Sequence, residues 1–253
     1  MSKSKVAKVD KKKKPFFKFF KAVVKSFYKK PNFMGLQNIP EEPCIIVGNH
    51  AQLHGPVSME CYFPYKKYIW CIGNLMHIKE APDYAFKDFW GYKPKHTHWF
   101  YKGLARLVSP LLVYLHTNAD TIGVYKDNRV LSTFKNSVKG LKNGAHIILF
   151  PENHTPFNQI VNEFQTRFVD VAKLYFKDTS KELQFVPMYL APNLKTIVYG
   201  NPIKYNGNKP IEEQRTNICN YLKTEITKMA KDLPTHTVIP YANIKKKQYP
   251  KSK

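Results

Sequence analysis

Residues 45–56 of the chain read Ile-Ile-Val-Gly-Asn-His-Ala-Gln-Leu-His-Gly-Pro. A short apolar run that passes directly into Gly-Asn-His is typical of a buried strand followed by a polar loop. Ligands of parallel sheets bind beyond the carboxyl ends of the strands, so the pattern predicts that His50 lies at the mouth of such a sheet. An imidazole in that position can act as a general base.

The rest of the chain alternates short apolar runs with longer helical patterns. The predicted strands lie at 44–47, 68–72, 121–125, 146–150, 185–190 and 196–199, and the predicted helices lie near 56–62, 98–116, 129–142, 157–177 and 211–232. Most strand runs are continuously apolar, as expected when both faces of a sheet are covered. The alternation therefore predicts an α/β fold with a mostly parallel central sheet and helices on both faces, in a single domain.

Positive charge is concentrated at the two ends of the chain. The 253 residues include 41 Lys and Arg against 18 Asp and Glu, a formal net charge of +23. Residues 1–30 hold twelve Lys and one Asp, and residues 244–253 hold five Lys and no acid. Because basic segments are drawn to anionic surfaces, we predict a basic membrane-surface segment over 1–30, an α/β domain over 31–243 and a basic tail over 244–253.

The segment after Pro15 predicts an amphipathic helix that precedes the sheet. Proline suits the first turn of a helix, and four lysines then recur at helical spacing, at Lys18, Lys21, Lys25 and Lys29. The opposite face is apolar and consists of Phe16, Phe20, Val23, Val24 and Phe27. An aromatic face opposite a lysine face is typical of a helix in the membrane interface; the alternative is a helix docked on the domain with solvated lysines. The first interpretation predicts a peripheral protein on the cytoplasmic side of an anionic membrane.

Composition excludes several other classes of protein. A hydrophobic content of 43% is too high for a disordered basic chain, and no uncharged apolar run reaches the ~18 residues of a spanning helix. The N-terminus lacks the apolar core of a signal peptide. The four cysteines form no CxxC motif and predict reduced thiols, and His50 and His54 lack a third ligand, so we expect no metal site. No RNP-like string indicates specific binding of nucleic acid.

Four more segments stand where the predicted strands end or begin. They are Lys126-Asp127-Asn128-Arg129, Phe150-Pro151-Glu152-Asn153, Val186-Pro187-Met188 and Tyr199-Gly200-Asn201-Pro202-Ile203. Together with Asn49-His50, their order and spacing resemble the motif blocks of the glycerolipid acyltransferase family, the lysophospholipid or 1-acylglycerol-3-phosphate acyltransferases. The resemblance spans about residues 40–205.

The resemblance implies an enzyme of phospholipid biosynthesis that transfers a fatty acyl group to a lysophospholipid or related hydroxyl acceptor. The co-substrate would be acyl-CoA or acyl-ACP, and no cofactor is implied. His50 would be the general base that takes the proton of the attacking hydroxyl. The residues implied in substrate binding are Asn49, Lys126, Arg129, Glu152 and Asn153. The two cations would bind the acceptor phosphate, since Thr155 stands where the family has an arginine.

The sequence departs from the family at position 55, where Gly55 replaces the aspartate that orients the catalytic imidazole. Loss of the orienting acid in a related triad costs ~10⁴ in rate, so a substitute is needed. His54 could support His50 or be the base itself, and Glu60 could supply a carboxylate from the following helix. Alternatively, the chain is a lipid-binding relative of the fold that transfers no acyl group, and its histidines are merely satisfied in a loop.

Overall fold

The computed structural model describes residues 15–242 and 244–253, so the lysine-rich residues 1–14 of the predicted membrane-surface segment lie outside the described part. Within it the chain forms a large mixed sheet and a small hairpin. The strands are β1 (Asn32–Met34), β2 (Ile45–Gly48), β3 (Lys67–Ile72), β4 (Thr121–Val124), β5 (His146–Leu149), β6 (Glu152–Phe157), β7 (Asn162–Phe164), β8 (Gln184–Ala191), β9 (Thr196–Tyr199) and β10 (Ile203–Lys204).

The large sheet has the strand order β1-β9-β8-β2-β5-β3-β4, and β10 also pairs with β8. Strands β8, β2, β5, β3 and β4 are mutually parallel, whereas β9 and β10 run antiparallel to β8. The parallel arrangement brings the carboxyl ends of β2, β5 and β8 to one edge. The loops that follow Gly48, Leu149 and Ala191 therefore share the edge at which parallel sheets bind ligands.

Helices cover both faces of this sheet. They are α1 (Pro15–Phe27), α2 (His54–Tyr62), α3 (Ala81–Ala85), α4 (His98–Asn118), α5 (Val130–Lys142), α6 (Asp170–Thr179) and α7 (Ile211–Asp232). Alternate residues of β2 enter different cores: Ile45 and Val47 pack with residues of α5, α6 and α7, and Ile46 packs with Met59 of α2. The predicted fold class, a mostly parallel α/β sheet preceded by an N-terminal helix, is confirmed. None of the helices described is long and apolar enough to cross a membrane.

The helix predicted near 157–177 is wrong in its first half, because α6 begins only at Asp170. The residues before it belong to the antiparallel hairpin of β6 and β7. In the hairpin turn, the side-chain oxygen of Asn158 accepts hydrogen bonds from the N–H groups of Ile160 and Val161, at 3.1 and 2.9 Å. Such local bonds from an asparagine side chain compete with helix formation. The two apolar residues are buried, and their pattern fits a packed turn as well as a helix.

Helix α1 has one docked side and one exposed apolar side. Phe17 is buried, and Lys21 donates a hydrogen bond of 2.8 Å to the Glu60 carboxylate. The exposed large apolar side chains of the helix are Phe16, Phe19, Val23 and Phe27. The predicted helix is present. Phe16, Val23 and Phe27 of its predicted apolar face are exposed, whereas Phe20 and Val24 are half-buried. Its lysine stripe is not simply solvated, since Lys21 joins the helix to the domain.

The chain after α7 folds back on itself at the carboxyl end. The Val238 N–H donates to the Pro250 carbonyl at 2.9 Å, and the Ser252 N–H donates to the His236 carbonyl at 3.0 Å. Ser252 is buried. The residues that the sequence suggests as a basic tail thus return along the preceding segment and contact the domain.

Candidate active site

Asn49 fixes the loop after β2 to the neighbouring strand. Its side-chain amide donates to the Leu190 carbonyl at 3.1 Å, and its Oδ1 accepts from the Leu190 N–H at 2.7 Å. The side chain is buried, so these two bonds extend the pairing of β2 and β8 beyond the end of β2. Asn49, predicted to bind substrate, is occupied in holding the loop at the carboxyl edge of the sheet.

A main-chain carbonyl orients the His50 imidazole. Nδ1 of the ring contacts the carbonyl oxygen of Gln52. A carbonyl oxygen only accepts hydrogen bonds, so Nδ1 carries the proton and Nε2 keeps the lone pair that a base needs. The ring packs against Phe150 and Tyr241, each with its centroid 5.3 Å away. Burial lowers the pKa of His50 below its ordinary value of 6.5, which favours the neutral imidazole at pH 7.

The Gln52 carbonyl reaches the ring because the chain turns through two left-handed residues. Ala51 has a φ of 46° and Gln52 a φ of 55°, a region that residues with side chains seldom occupy. Main-chain bonds close the turn, from the His54 N–H to the Ala51 carbonyl at 3.1 Å and from the Gly55 N–H to the His50 carbonyl at 3.2 Å. The position of the Gln52 carbonyl at the His50 ring therefore depends on a backbone conformation that the neighbouring residues must hold.

A buried carboxylate, that of Glu152, supports the same loop. Its Oε2 accepts from the His50 main-chain N–H at 2.6 Å, and its Oε1 accepts from the Asn162 N–H at 2.8 Å. Burial raises the pKa of Glu152 to about 7, against the lowering effect of the two N–H donors. Both carboxylate oxygens thus accept hydrogen bonds from the main chain. Glu152, predicted to bind substrate hydroxyls, instead joins the β2 loop to β7. Its neighbour Asn153 is half-buried on β6.

Position 55 has no space for the aspartate of the family motif. Gly55 is buried at the start of α2. A Cβ on this residue would lie 2.8 Å from the His50 carbonyl oxygen and 2.8 Å from Cε1 of Phe150, well inside the ~3.5–4.0 Å of a normal carbon contact. The glycine is therefore required by the packing of the loop against the phenyl ring, and the Gln52 carbonyl occupies the orienting position at Nδ1.

His54 belongs to a hydrogen-bond network of its own. Its Nδ1 lies 3.0 Å from the Tyr28 hydroxyl, which lies 3.0 Å from the Ser58 hydroxyl. The three residues line a cleft of about 300 Å³ between the end of α1, the end of β8 and the start of β9. Burial lowers the pKa of His54. His54 therefore lies beside His50 but contacts different residues.

Glu60, the second predicted substitute for the missing aspartate, lies near the far end of α2. Its Oε1 is 2.8 Å from Nζ of Lys21, and its Oε2 is 3.4 Å from Nζ of Lys67. Lys67 is the first residue of β3, so this charge cluster lies at the amino-terminal edge of the parallel sheet, opposite to the edge that holds His50. The structure does not bring Glu60 and His50 together, and the carboxylate instead docks α1.

The two cations predicted to bind phosphate differ in their surroundings, because Arg129 is paired with carboxylates and Lys126 is exposed. The Arg129 guanidinium donates to both carboxylate oxygens of Glu80, at 2.7 and 3.1 Å, and to Asp127 at 2.7 Å. It lies 4.2 Å from the ring centroid of Tyr125, and it lowers the pKa of both carboxyl groups. Lys126 is exposed, and none of the ion pairs among residues 15–242 and 244–253 involves it. Lys126 is thus the member of the pair whose charge is open to a ligand.

Sequence reasoning missed three residues of this site: Gln52 and Tyr241, which contact the His50 ring, and Tyr249, which contacts Gln52. The Gln52 side-chain amide donates to the Tyr249 hydroxyl at 2.8 Å, between residues 197 positions apart, and no local pattern indicates so distant a pairing. The residues described contain no group of three His, Cys, Asp or Glu side chains that could hold a metal ion.

Comparison with known proteins relates the chain to others by its fold. No family model and no curated protein matches the sequence. Among solved structures, the crystal structure of the 1-acyl-sn-glycerophosphate acyltransferase PlsC from Thermotoga maritima is similar. The two share 15% sequence identity with a TM-score of 0.51, over 85% of this chain and 78% of that chain. The chain therefore has the fold of a glycerolipid acyltransferase.

Proposed function

We propose that this protein is an acyltransferase of phospholipid biosynthesis that moves a fatty acyl group from a thioester, acyl-CoA or acyl-ACP, to a lysophospholipid or related hydroxyl acceptor. The observation that carries the proposal is the His50 imidazole, which lies at the carboxyl edge of the sheet with its Nδ1 bound to a carbonyl and its Nε2 left as the base. The fold shared with a 1-acyl-sn-glycerophosphate acyltransferase supports the reaction class. We expect no cofactor, since this exchange needs only base catalysis and positioning.

In the proposed reaction, Nε2 of His50 takes the proton of the acceptor hydroxyl while the hydroxyl oxygen attacks the thioester carbonyl carbon. The tetrahedral intermediate then collapses, the carbon–sulfur bond breaks, and the imidazolium returns its proton to the departing thiolate. The products are an ester and a free thiol. The Gln52 carbonyl remains at Nδ1 throughout, where its negative end stabilises the transient imidazolium charge, as an orienting carboxylate does in a triad.

We assign the predicted binding residues different tasks within this proposal. Lys126 is the candidate contact for the acceptor phosphate, because its ammonium group is exposed at the end of β4. Arg129 would act indirectly, by holding that loop through Glu80 and Asp127. The remaining residues of the predicted set are Asn49 and Glu152, which position the β2 loop, and Asn153, which stays a candidate substrate contact on β6.

We further propose peripheral binding to the cytoplasmic face of an anionic membrane. Eight exposed large apolar side chains lie on two helices, Phe16, Phe19, Val23 and Phe27 on α1 and Trp99, Phe100, Leu107 and Leu111 on α4. The helices adjoin, since the rings of Phe16 and Tyr114 of α4 are 5.4 Å apart. Large exposed apolar patches mark interaction sites, and an aromatic patch bordered by lysines suits a membrane interface.

Acyl transfer from labelled acyl-CoA into a panel of lysolipids tests the function. We expect His50→Gln to lower turnover by about 10²–10⁴, the contribution of a general base. The matched control is His96→Gln, which alters an exposed histidine on a short helical turn and should leave turnover unchanged. His54→Gln decides between the two histidines: if it abolishes transfer and His50→Gln does not, His54 is the base.

The second candidate function is lipid binding without acyl transfer. It is favoured by Gly55, which leaves His50 without the carboxylate partner of the family motif. The same assay separates the two functions when it is paired with a measurement of lysolipid binding. A wild-type protein that binds lysolipid and transfers no acyl group from any thioester in the panel would establish the non-catalytic function.

A further inference from the structure

The end of the chain is a fixed part of the carboxyl edge of the sheet. Residues 236–242 and 244–252, here called the C-terminal arm, form a hairpin-like return with a bridge between Thr237 and Lys251. The arm is anchored on β8, where Nε2 of His236 lies 2.8 Å from the Tyr189 hydroxyl. Val238 and Ile239 are buried in the two cores on opposite faces of the sheet. The arm thus has the packing that a rigid support requires.

Two tyrosines of the arm reach the catalytic loop. The Tyr249 hydroxyl accepts a hydrogen bond of 2.8 Å from the Gln52 side chain, and the Tyr249 ring packs on the core that contains Met59. The Tyr241 ring packs on the His50 imidazole, with centroids 5.3 Å apart. The arm therefore contacts both the base and the residue whose carbonyl orients the base.

The loop needs such support because its conformation is not the one its residues prefer. Ala51 and Gln52 both have positive φ angles, and a side-chain-bearing residue held there costs about 1–3 kcal/mol unless the surroundings fix it. The main-chain bonds of the turn run between its own residues. The hydrogen bond to Tyr249 instead ties Gln52 to an element that is packed elsewhere, so it can fix where the Gln52 carbonyl lies.

We propose that Tyr249 is a positioning residue, which holds Gln52 so that its carbonyl orients His50 in place of the carboxylate for which position 55 has no space. Tyr241 completes the arrangement by limiting the tilt of the imidazole. This inference rests on the proposed function, because it assigns His50 the task of the base. The tautomer expected for His50, with its proton on Nδ1, does not depend on whether acyl transfer is observed.

The kinetic test uses the full-length variants Tyr249→Phe and Gln52→Ala. Each removes the same hydrogen bond, so we expect a fall in kcat of about two- to tenfold, the effect of one hydrogen bond, with the KM values of donor and acceptor unchanged. The double variant should be no slower than the slower single variant, because both changes act through one contact. The control is Tyr221→Phe on α7, which loses a hydroxyl bonded to the Asn201 carbonyl at 3.0 Å and should retain wild-type kcat.

Nitrogen NMR of histidine labelled in the ring provides a readout that is independent of activity. The His50 signals are assigned from their absence in His50→Gln, at a pH where the ring is neutral. We expect wild-type His50 to carry its proton on Nδ1, and we expect Tyr249→Phe and Gln52→Ala to shift population to the other tautomer, while Tyr221→Phe does not. If both variants fold and leave the tautomer and kcat unchanged, the inference is overturned. A tautomer shift without acyl transfer in the wild type would instead overturn the proposed function and keep the positioning role.

Discussion

The buried Glu152 carboxyl accepts hydrogen bonds from two segments of main chain and also makes folding sensitive to pH. Its folded pKa of about 7 lies above its ordinary value of 4.5, because burial disfavours the charge more than the two N–H donors favour it. The folded state therefore binds the proton more tightly than the unfolded state does. Its contribution to stability is full below about pH 4.5 and is lost as the pH rises to about 7.

We expect the free energy of unfolding to fall more steeply with pH in the wild type than in Glu152→Gln. The interval between 4.5 and about 7 corresponds to roughly 3 kcal/mol, at about 1.4 kcal/mol for each pH unit. Urea unfolding at the two ends of that interval measures the difference. The change of stability with pH is the readout, because the glutamine amide also loses an acceptor for one N–H. Glu42→Gln removes an exposed carboxylate and should keep the wild-type slope; equal slopes in all three proteins would contradict the prediction.

At Gly55, the absence of a Cβ atom is what allows the loop to pack against its neighbours. A methyl group there would meet a carbonyl oxygen and a phenyl ring at 2.8 Å, so we expect Gly55→Ala to destabilise the protein by about 1–3 kcal/mol through overpacking. Gly55→Asp should likewise lower stability and should not raise activity, although it recreates the family motif. Urea unfolding and the transfer assay measure the two effects.

The matched control for this prediction is Gly103→Ala. Gly103 lies inside α4, and a Cβ there meets nothing within 4 Å. Alanine is the better helix former by about 0.5–1 kcal/mol, so this variant should be at least as stable as the wild type. If Gly55→Ala behaved as Gly103→Ala does, the loop would have space that its geometry does not show.

At the scale of the elements, α1 combines docking with an open apolar face. The helix is held through Phe17 and through Lys21, whose ammonium group pairs with Glu60 of α2. Phe19 and Phe27 are 66% and 87% exposed, so neither contributes much to the fold. Two large aromatic rings kept in water are unfavourable unless a partner covers them, and the proposed partner is the membrane interface.

We expect the double variant Phe19→Ser/Phe27→Ser to bind lipid vesicles at least about tenfold more weakly, because each buried ring is worth about 1.5–3 kcal/mol. Its unfolding transition should match that of the wild type. Vesicle co-sedimentation measures binding, and Ala22→Ser, a polar change at another exposed position of α1, is the control. Undiminished binding of the double variant would assign the membrane contact to another surface.

The β2 loop shows how elements far apart in sequence share one task. The loop after β2 supplies the histidine, and β8 holds Asn49. Glu152, itself bonded to β7, holds the His50 main chain, and the C-terminal arm holds Gln52. Each contact involves a different element, and all of them meet at the carboxyl edge of the sheet. A loop tied on several sides keeps one geometry, which is what a base positioned for proton transfer requires.

At the scale of the whole molecule, the charge of +23 should govern association with anionic surfaces. We expect binding to vesicles rich in anionic lipid to weaken between about 0.01 M and 1 M salt, over which the Debye length falls from about 30 Å to about 3 Å. Each lysine near the surface contributes about 1 kcal/mol at low salt. Vesicle sedimentation across that range measures the effect.

Neutral phosphatidylcholine vesicles are the control for the charge prediction. Binding to them depends on apolar burial, which salt does not screen, so it should be nearly independent of salt concentration. At low salt it should also be weaker than binding to anionic vesicles. Salt-independent binding to anionic vesicles would show that the charge of the chain does not drive association.

The sequence by itself determined most strands of the large sheet, the longer helices and the place of the candidate base, but not the β6–β7 hairpin. Continuous apolar runs and helical spacing are local signals, and they predicted the strand Thr196–Tyr199 and the helix Ile211–Asp232 at their observed bounds. The step from an apolar run to Gly-Asn-His placed His50 at the carboxyl end of β2. These predictions hold because the period with which side chains are buried along a strand or helix depends only on residues close together in sequence.

Only the tertiary structure decided which partners the site residues have. Glu60 faces Lys21 and Lys67 rather than His50, and Arg129 is bound by Glu80, 49 residues away. The orienting group at His50 is a main-chain carbonyl, which every residue carries and no sequence pattern marks. Its support comes from Tyr249, 197 positions after Gln52. Such contacts depend on how segments distant in sequence pack together. The spacing of residues along the chain does not predict that packing.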